Sequence, residues 1–244
     1  MIVLEANGYC PICESQARFL ADDIWLRDAF KCTKCDSIPR QRALMVALEM
    51  FRPNWRAMNI HEASPIWFGT SKKLITEAKS YSYSFYDPAF PSGEIHPKHE
   101  WKNENLEALS FKHSIFDIFL TQDVFEHVFN PDQEIAQIAR VLTPGGLHVC
   151  TIPLSNRTTP SSRRAKIVGD KIEHIMEPIY HGNPIDESGS LVTFNWGFDI
   201  GHYLDYFSGL TTTIVYIDDV SRGIKGEAIE VLVMEKPREL VKIL

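Results

Sequence analysis

Cys10-x-x-Cys13 and Cys32-x-x-Cys35 are separated by eighteen residues, a spacing that brings four sulfurs to one zinc ion. Four thiolates close a tetrahedron and leave no open position, which suits a structural Zn²⁺ held by Cys10, Cys13, Cys32 and Cys35. Two disulfides or a redox CxxC are the competing readings, and the expected compartment disfavours disulfides. Cys150 lies within an apolar run and reads as core. A second concentration of reactive types is Thr121-Gln122-Asp123 with Glu126-His127. It offers carboxylates and an imidazole whose ordinary pKa lies near neutrality. A third combines Tyr180-His181-Gly182-Asn183-Pro184 with Asn195-Trp196-Gly197-Phe198-Asp199. Rings with amides and carboxylates at their edges suit polyhydroxy ligands, so His181, Asn183, Trp196 and Asp199 are candidate substrate contacts. The alternative is a hydrogen-bonded loop that only folds a lid. Arg157, Arg163, Arg164 and Lys166 could receive a phosphate or carboxylate, although a solvated basic face is the plainer reading.

These groups need elements to position them. Ile115, Phe116, Ile118, Phe119 and Leu120 form an apolar run with little alternation, expected of a strand covered on both faces. Thr121, Gln122 and Asp123 then stand at its carboxyl end, where open α/β sheets bind ligands. Asn130-Pro131-Asp132-Gln133 has the signals of a helix start: Asn130 to cap, Pro131 in the first turn, Gln133 to close a capping box. Ile135, Ile138, Ala139 and Leu142 share one helix face. Pro144-Gly145-Gly146 ends the helix in a turn, and residues 147–152 form the next buried strand. Further strands are expected at 57–62, 81–86, 211–217 and 228–235, with helices from Thr70 and over 197–208. Residues 1–38 read as a zinc ribbon with two short strands around 18–30, too poor in apolar residues to fold without metal. A helix over 40–51, within a linking segment 39–53, docks it. Residues 54–244 form an α/β domain, and a long polar insertion at about 154–196 lies over the ligand edge as a substrate lid.

The wording DVFEHV..P...I...ARVL.PGG, from Asp123 to Gly146, resembles the segment between strands 4 and 5 of small-molecule class I S-adenosylmethionine-dependent methyltransferases of the type 11 kind. The resemblance extends more weakly over about 54–236. It implies a doubly wound, seven-stranded, mostly parallel Rossmann-like sheet with a final antiparallel pair and S-adenosylmethionine across its carboxyl edge. On that resemblance Glu62 is the acid ending the first strand, and Ser64 replaces the first glycine of the cofactor loop, followed by Pro65. The departure matters because glycine lets backbone amides approach a ligand closely. Asp87 stands for the ribose acid, Asn105 and Leu106 for the adenine contacts, and Gln122 and Asp123 for the tip of strand 4. Methyl transfer is an in-line displacement in which the enzyme aligns the acceptor, excludes water and removes a proton. His127 is the candidate base, the alternative being that it only shapes the pocket. Asp123-x-x-Glu126-His127 is also similar to an ExxEH group that ubiquinone-pathway and small-RNA 2′-O methyltransferases use for a divalent ion, while many metal-free members carry Glu-His here too.

The 244 residues, 44% of them apolar, suffice for one main domain with a small attachment. A net charge of −7 argues against a nucleic-acid partner. No apolar run approaches the roughly 20 residues of a membrane helix, and the N-terminus lacks a signal-peptide pattern, so a cytoplasmic protein without membrane association is expected. The leading reading is O-methylation of a small or glycan-linked acceptor, in bacterial polysaccharide or natural-product tailoring by resemblance. One alternative is an RNA methyltransferase that binds RNA through its ribbon; it requires a basic surface joining Lys31, Lys34, Arg40 and Arg42 to the cofactor mouth. The other is a non-catalytic cofactor-binding protein, suggested by Ser64-Pro65. Oligomeric state is open.

Overall fold

The first cysteine pair forms the turn of a hairpin. In the computed structural model, which describes residues 1–182 and 189–238, β1 (Leu4–Cys10) pairs antiparallel with β2 (Ser15–Ala21). The ribbon strands therefore flank the first knuckle and do not lie around 18–30. After β2, the Asp23 carboxylate accepts the Trp25 N–H at 2.7 Å, a local turn that starts the short helix α1 (Leu26–Ala29) instead of a strand. β3 (Lys31–Cys32) then pairs with β2.

Helix α2 (Pro39–Phe51) is buried from Pro39 through Leu48. A helix so covered needs neighbours on more than one side. It packs on α1, on the following helix and on the main sheet. Arg42, fully buried, donates to the carbonyls of Ser37, Phe30 and Gly223 and lies 4.9 Å over the Phe19 ring. One apolar core therefore runs from Cys10, Phe19 and Phe30 through Leu44 and Leu48 to Ile60, Ile118, Val149 and Val233. The ribbon is built into the main domain. Gly8 marks the closest approach, because a Cβ there would lie 1.8 Å from the Ser221 carbonyl oxygen.

The main sheet is built from β4 (Asn59–Ala63), β5 (Ser80–Phe85), β6 (Lys102–Asn103), β7 (Phe116–Gln122) and β8 (Leu142–Thr151), with α3 (Gly69–Glu77) and α4 (Pro131–Val141) between strands. An insertion follows, containing β9 (Leu154–Asn156), β10 (Ser162–Arg163), β11 (Ala165–Val168), β12 (Lys171–His174), β13 (Tyr180–His181), β14 (Ser190–Leu191) and β15 (Phe194–Gly197). The chain closes with α5 (Ile200–Ser208), β16 (Thr211–Val215) and β17 (Val231–Glu235). The seven strands lie in the order β16-β17-β8-β7-β4-β5-β6. β8 through β6 are parallel, while β17 runs antiparallel to both β8 and β16. This is the expected doubly wound sheet with its final antiparallel pair.

Two local expectations fail. The Asn130 side chain makes no cap bond; its amide donates to Glu107, whose carboxylate also accepts the N–H groups of Phe129 and Asn130. A carboxylate from another segment satisfies the chain entering the helix. Nor is Pro144-Gly145-Gly146 a separate turn. β8 begins directly after α4, and the register steps from Phe116↔Leu142 to Ile118↔Leu147, so these residues form a bulge, with Gly145 at φ +76°.

Candidate cofactor and acceptor site

In the ribbon, Cys10 and Cys35 sulfurs lie 3.7 Å apart and those of Cys13 and Cys32 3.9 Å apart. All four lie within 4.8 Å of one another. Zinc–sulfur bonds of about 2.3 Å place tetrahedral sulfurs about 3.8 Å apart. The four cysteines are free, so the geometry fits a closed four-thiolate zinc site and not paired disulfides.

The residues expected on the cofactor edge come to the carboxyl ends of four adjacent strands: Glu62 near the end of β4 and Ser64 just after it, Asp87 after β5, Asn105 and Leu106 after β6, Gln122 at the end of β7 and Asp123 just after it. Their roles separate. Glu62 is 0% exposed and accepts hydrogen bonds from Ser71, Tyr81 and Gln122, each at 2.7 Å. Burial pushes its carboxyl up, against those three donors. It anchors the first loop from beneath and presents no surface to a ligand. Ser64 holds the backbone at φ +56°, so the glycine-like turn forms without glycine, at a conformational cost. Gln122 pins its amide nitrogen to Glu62 and Ser71, and its buried Oε1 has no partner among the described residues. An orphaned buried acceptor at a strand tip suits a donor group on a bound cofactor. Asp87 accepts the Ala89 N–H at 2.8 Å and faces His96 at 3.3 Å. The Asn105 side chain accepts from Glu107 N–H, and Leu106 is buried beside it.

Asp123 is not free to bind a ligand. Its Oδ2 lies 2.7 Å from Arg27 and 3.4 Å from Arg40, and its Oδ1 accepts the Thr151 hydroxyl at 2.8 Å. Burial alone would raise its pKa, yet Arg40 and Arg27 hold it below the usual carboxylate range. Sequence reasoning missed both arginines, which reach the strand tip from α1 and α2. Of the four residues named for a basic stripe, Arg40 and Arg42 are buried, while Lys31 and Lys34 are not.

Beyond Asp123 the polar groups open toward the lid. Glu126 is 2% exposed, and neither carboxylate oxygen has a hydrogen-bond partner among the described residues. Burial, then the Asp123 charge, pushes it up to about 8. The His127 Nδ1 lies 3.0 Å from the Leu191 carbonyl of β14. That oxygen can only accept, so Nδ1 carries the proton and Nε2 presents its lone pair, 3.7 Å from Glu126. Burial lowers the pKa of His127 against that carbonyl, and burial also lowers His181. His181, opposite Ser190 in the β13–β14 hairpin, brings Nδ1 to 3.8 Å from the same carboxylate. The lid is fastened here, because Thr193 N–H and hydroxyl donate to the Glu126 carbonyl.

The other lid candidates divide. Asn183 lies outside the described residues. Trp196 is 1% exposed, stacked on Phe194 at 4.9 Å, and belongs to the core, so it is no open platform. Asp199 accepts from both the backbone and the hydroxyl of Ser161 at 2.7 Å and folds the lid. The basic residues are also occupied: Arg157 pairs with Glu230, Lys166 with Glu173, Arg163 donates to Phe129, and Arg164 donates to Glu177.

This arrangement fits the resemblance to class I S-adenosylmethionine-dependent methyltransferases seen in the sequence. The chain matches a methyltransferase domain family over residues 86–150. Over 77 residues it is 34% identical to a ubiquinone biosynthesis O-methyltransferase of Roseobacter denitrificans, a match spanning 32% of this chain and 29% of that relative. Its fold is similar to S-adenosylmethionine-bound CalS10, an amino pentose methyltransferase of Micromonospora echinaspora involved in calicheamicin biosynthesis. The TM-score is 0.51 at 12% identity, covering 82% of this chain and 92% of that one. An S-adenosylmethionine-dependent methyltransferase of Mesorhizobium loti gives 0.50 at 12%, covering 80% and 98%. At such identity these structures show the fold alone. No helix of the described residues is long and apolar enough to cross a membrane.

Proposed function

We propose that the chain transfers a methyl group from S-adenosylmethionine to a hydroxyl of a small or glycan-linked acceptor, in polysaccharide or natural-product tailoring. The observation that carries this reading is His127, held by the Leu191 carbonyl with Nε2 open beside the strand tip and beneath the lid. The matched relative is named an O-methyltransferase, which supports oxygen as the methylated atom. The cofactor supplies an electrophilic methyl group on a sulfonium. The Ser64 turn, Asp87, Asn105, Leu106 and the free Gln122 oxygen are the groups available to hold it. The chain's further work is to align the acceptor oxygen with the methyl carbon, keep water out with the lid, and take the acceptor's proton at His127 Nε2.

The test is a screen of hydroxylated sugars, nucleotide sugars and RNA fragments for formation of the demethylated cofactor. With the acceptor found, His127→Ala should lower turnover about 10²–10⁴-fold with little change in cofactor affinity. Near-normal turnover would remove the base, and methylation of RNA without any small acceptor would refute the reading.

A further inference from the structure

We propose that strand β12 is a self-pairing edge through which two copies of this chain join. The β11–β12 hairpin forms a sheet of two strands within the lid, and no third strand among the described residues pairs with it. All four residues of β12 are exposed. Ile167 and Ile172, opposite each other across the hairpin, are 53% and 49% exposed. A two-stranded hairpin is marginal in water by itself and gains from further strands or a covered face.

The backbone of β12 leaves a usable edge. Val168 and Lys171 flank the two-residue turn Gly169-Asp170, where Gly169 supplies φ +61° at the first turn position. The pair flanking such a turn is hydrogen-bonded, and bonded and non-bonded pairs alternate along the ladder. Lys171 and Glu173 therefore bond inward to β11, while Ile172 and His174 turn their N–H and C=O groups outward. An unpaired row of this kind is a template for another strand. At its base the hairpin is tied to the rest of the lid. The Arg164 carbonyl accepts the N–H groups of Ile175 and Met176, and the Ile179 carbonyl accepts that of Val192. Pairing two hairpins thus joins two lids.

The order of residues along this edge identifies its occupant as a second copy. Asp170-Lys171-Ile172-Glu173-His174 reads acid, base, apolar, acid, base. An antiparallel pairing about a twofold axis at Ile172 sets Lys171 against Glu173, Asp170 against His174, and Ile172 against itself. Every acid then meets a basic residue, and the outward groups of Ile172 meet as a bonded pair. A twofold axis at Lys171 or Glu173 would set like charges face to face, as would an in-register parallel pairing. A slip of one residue would set outward groups against inward ones. In the matched register, Ile167 and Ile172 of both copies form one apolar row on one face of a four-stranded sheet. On the other face, Glu173 lies between its own Lys166, 2.9 Å away, and Lys171 of the second copy. The interface is closed and isologous, so it ends at two chains.

The experiment is sedimentation velocity of the whole, zinc-loaded chain over a concentration series. The parent should pass from monomer to dimer as concentration rises. Lys171→Glu and Glu173→Lys should each weaken the dimer about tenfold or more, because each creates two like-charge pairs per dimer. An equimolar mixture of the two variants should recover it, since each like pair becomes an opposite one; a merely misfolded hairpin would not recover on mixing. Ile172→Cys should cross-link two chains under mild oxidation, because bonded antiparallel residues stand about 5.5 Å apart at Cα, within disulfide reach. Val168→Cys, on the outer strand β11, should not. Self-pairing is refuted if the parent stays monomeric at every concentration, if its dimer ignores both charge reversals, or if the mixture fails to recover. A monomer that instead pellets with phospholipid vesicles would make the apolar hairpin a lipid contact and overturn the second copy as its occupant.

Discussion

The buried ion pair between Arg27 and Asp123 should be worth far more than a surface pair of the same length. Arg27–Asp123 and Arg18–Glu5 both close to 2.7 Å, but their side chains are 8% and 18% exposed in the first pair and 48% and 42% in the second. At that distance an effective dielectric of about 20 gives an attraction of about 6 kcal/mol, and bulk water only about 1.5 kcal/mol. Coupling energies within one ion-pair network run up to about 3 kcal/mol, and Arg40 shares the Asp123 charge, so a coupling of about 2–3 kcal/mol is expected for Arg27–Asp123. The surface pair should give at most about 1 kcal/mol. The assay is a pair of double-mutant cycles by urea unfolding with zinc present: Arg27→Met with Asp123→Asn, and Arg18→Met with Glu5→Gln. Arg27→Met alone should cost about 3 kcal/mol, the low end for breaking a buried pair, because Arg40 and Thr151 still hold Asp123. Equal coupling in the two cycles would refute the claim that the strand tip is locked from the ribbon side.

Metal analysis should return about one zinc per chain, and Cys32→Ser should release it and loosen α1 and α2, which share the ribbon's core; disulfides within Cys10, Cys13, Cys32 and Cys35 would contradict this. Gly8→Ala should destabilise the protein by about 1–3 kcal/mol, since the new methyl meets the Ser221 backbone, and unchanged thermal stability would exclude that contact. Asp123 has a folded pKa below its unfolded value near 3.9, so its contribution is full above about pH 4 and is lost as pH falls through the folded pKa. Asp123→Asn should therefore lower stability at neutral pH and flatten its acid limb; an unaltered acid limb would place the titration elsewhere.

What could be read before the structure was whatever local pattern dictates. The run from Phe116 gave its strand, the apolar face Ile135, Ile138 and Ala139 gave its helix, although Leu142, expected on that face, opens the next strand, and two CxxC turns gave one cluster of sulfurs. Long-range pairing was hidden. Nothing near Asp123 announces Arg27, 96 positions earlier, and nothing near Glu126 announces His181. Local signals also misled where a distant group competed. Asn130 looked like a cap, but Glu107 arrives from another segment and engages its side-chain amide and the backbone just ahead of the helix. Trp196 looked like a platform because polar residues surround it in sequence; in the fold its ring stacks on Phe194 and turns inward.

The most direct test of the account is calorimetry of the zinc-loaded protein with S-adenosylmethionine and with its demethylated product. At least one of them should bind with a Kd in the micromolar range, about −8 kcal/mol. Binding should be weaker in Glu62→Ala, where the loop anchored through Ser71, Tyr81 and Gln122 comes loose. No heat and no competition with either ligand would contradict the account.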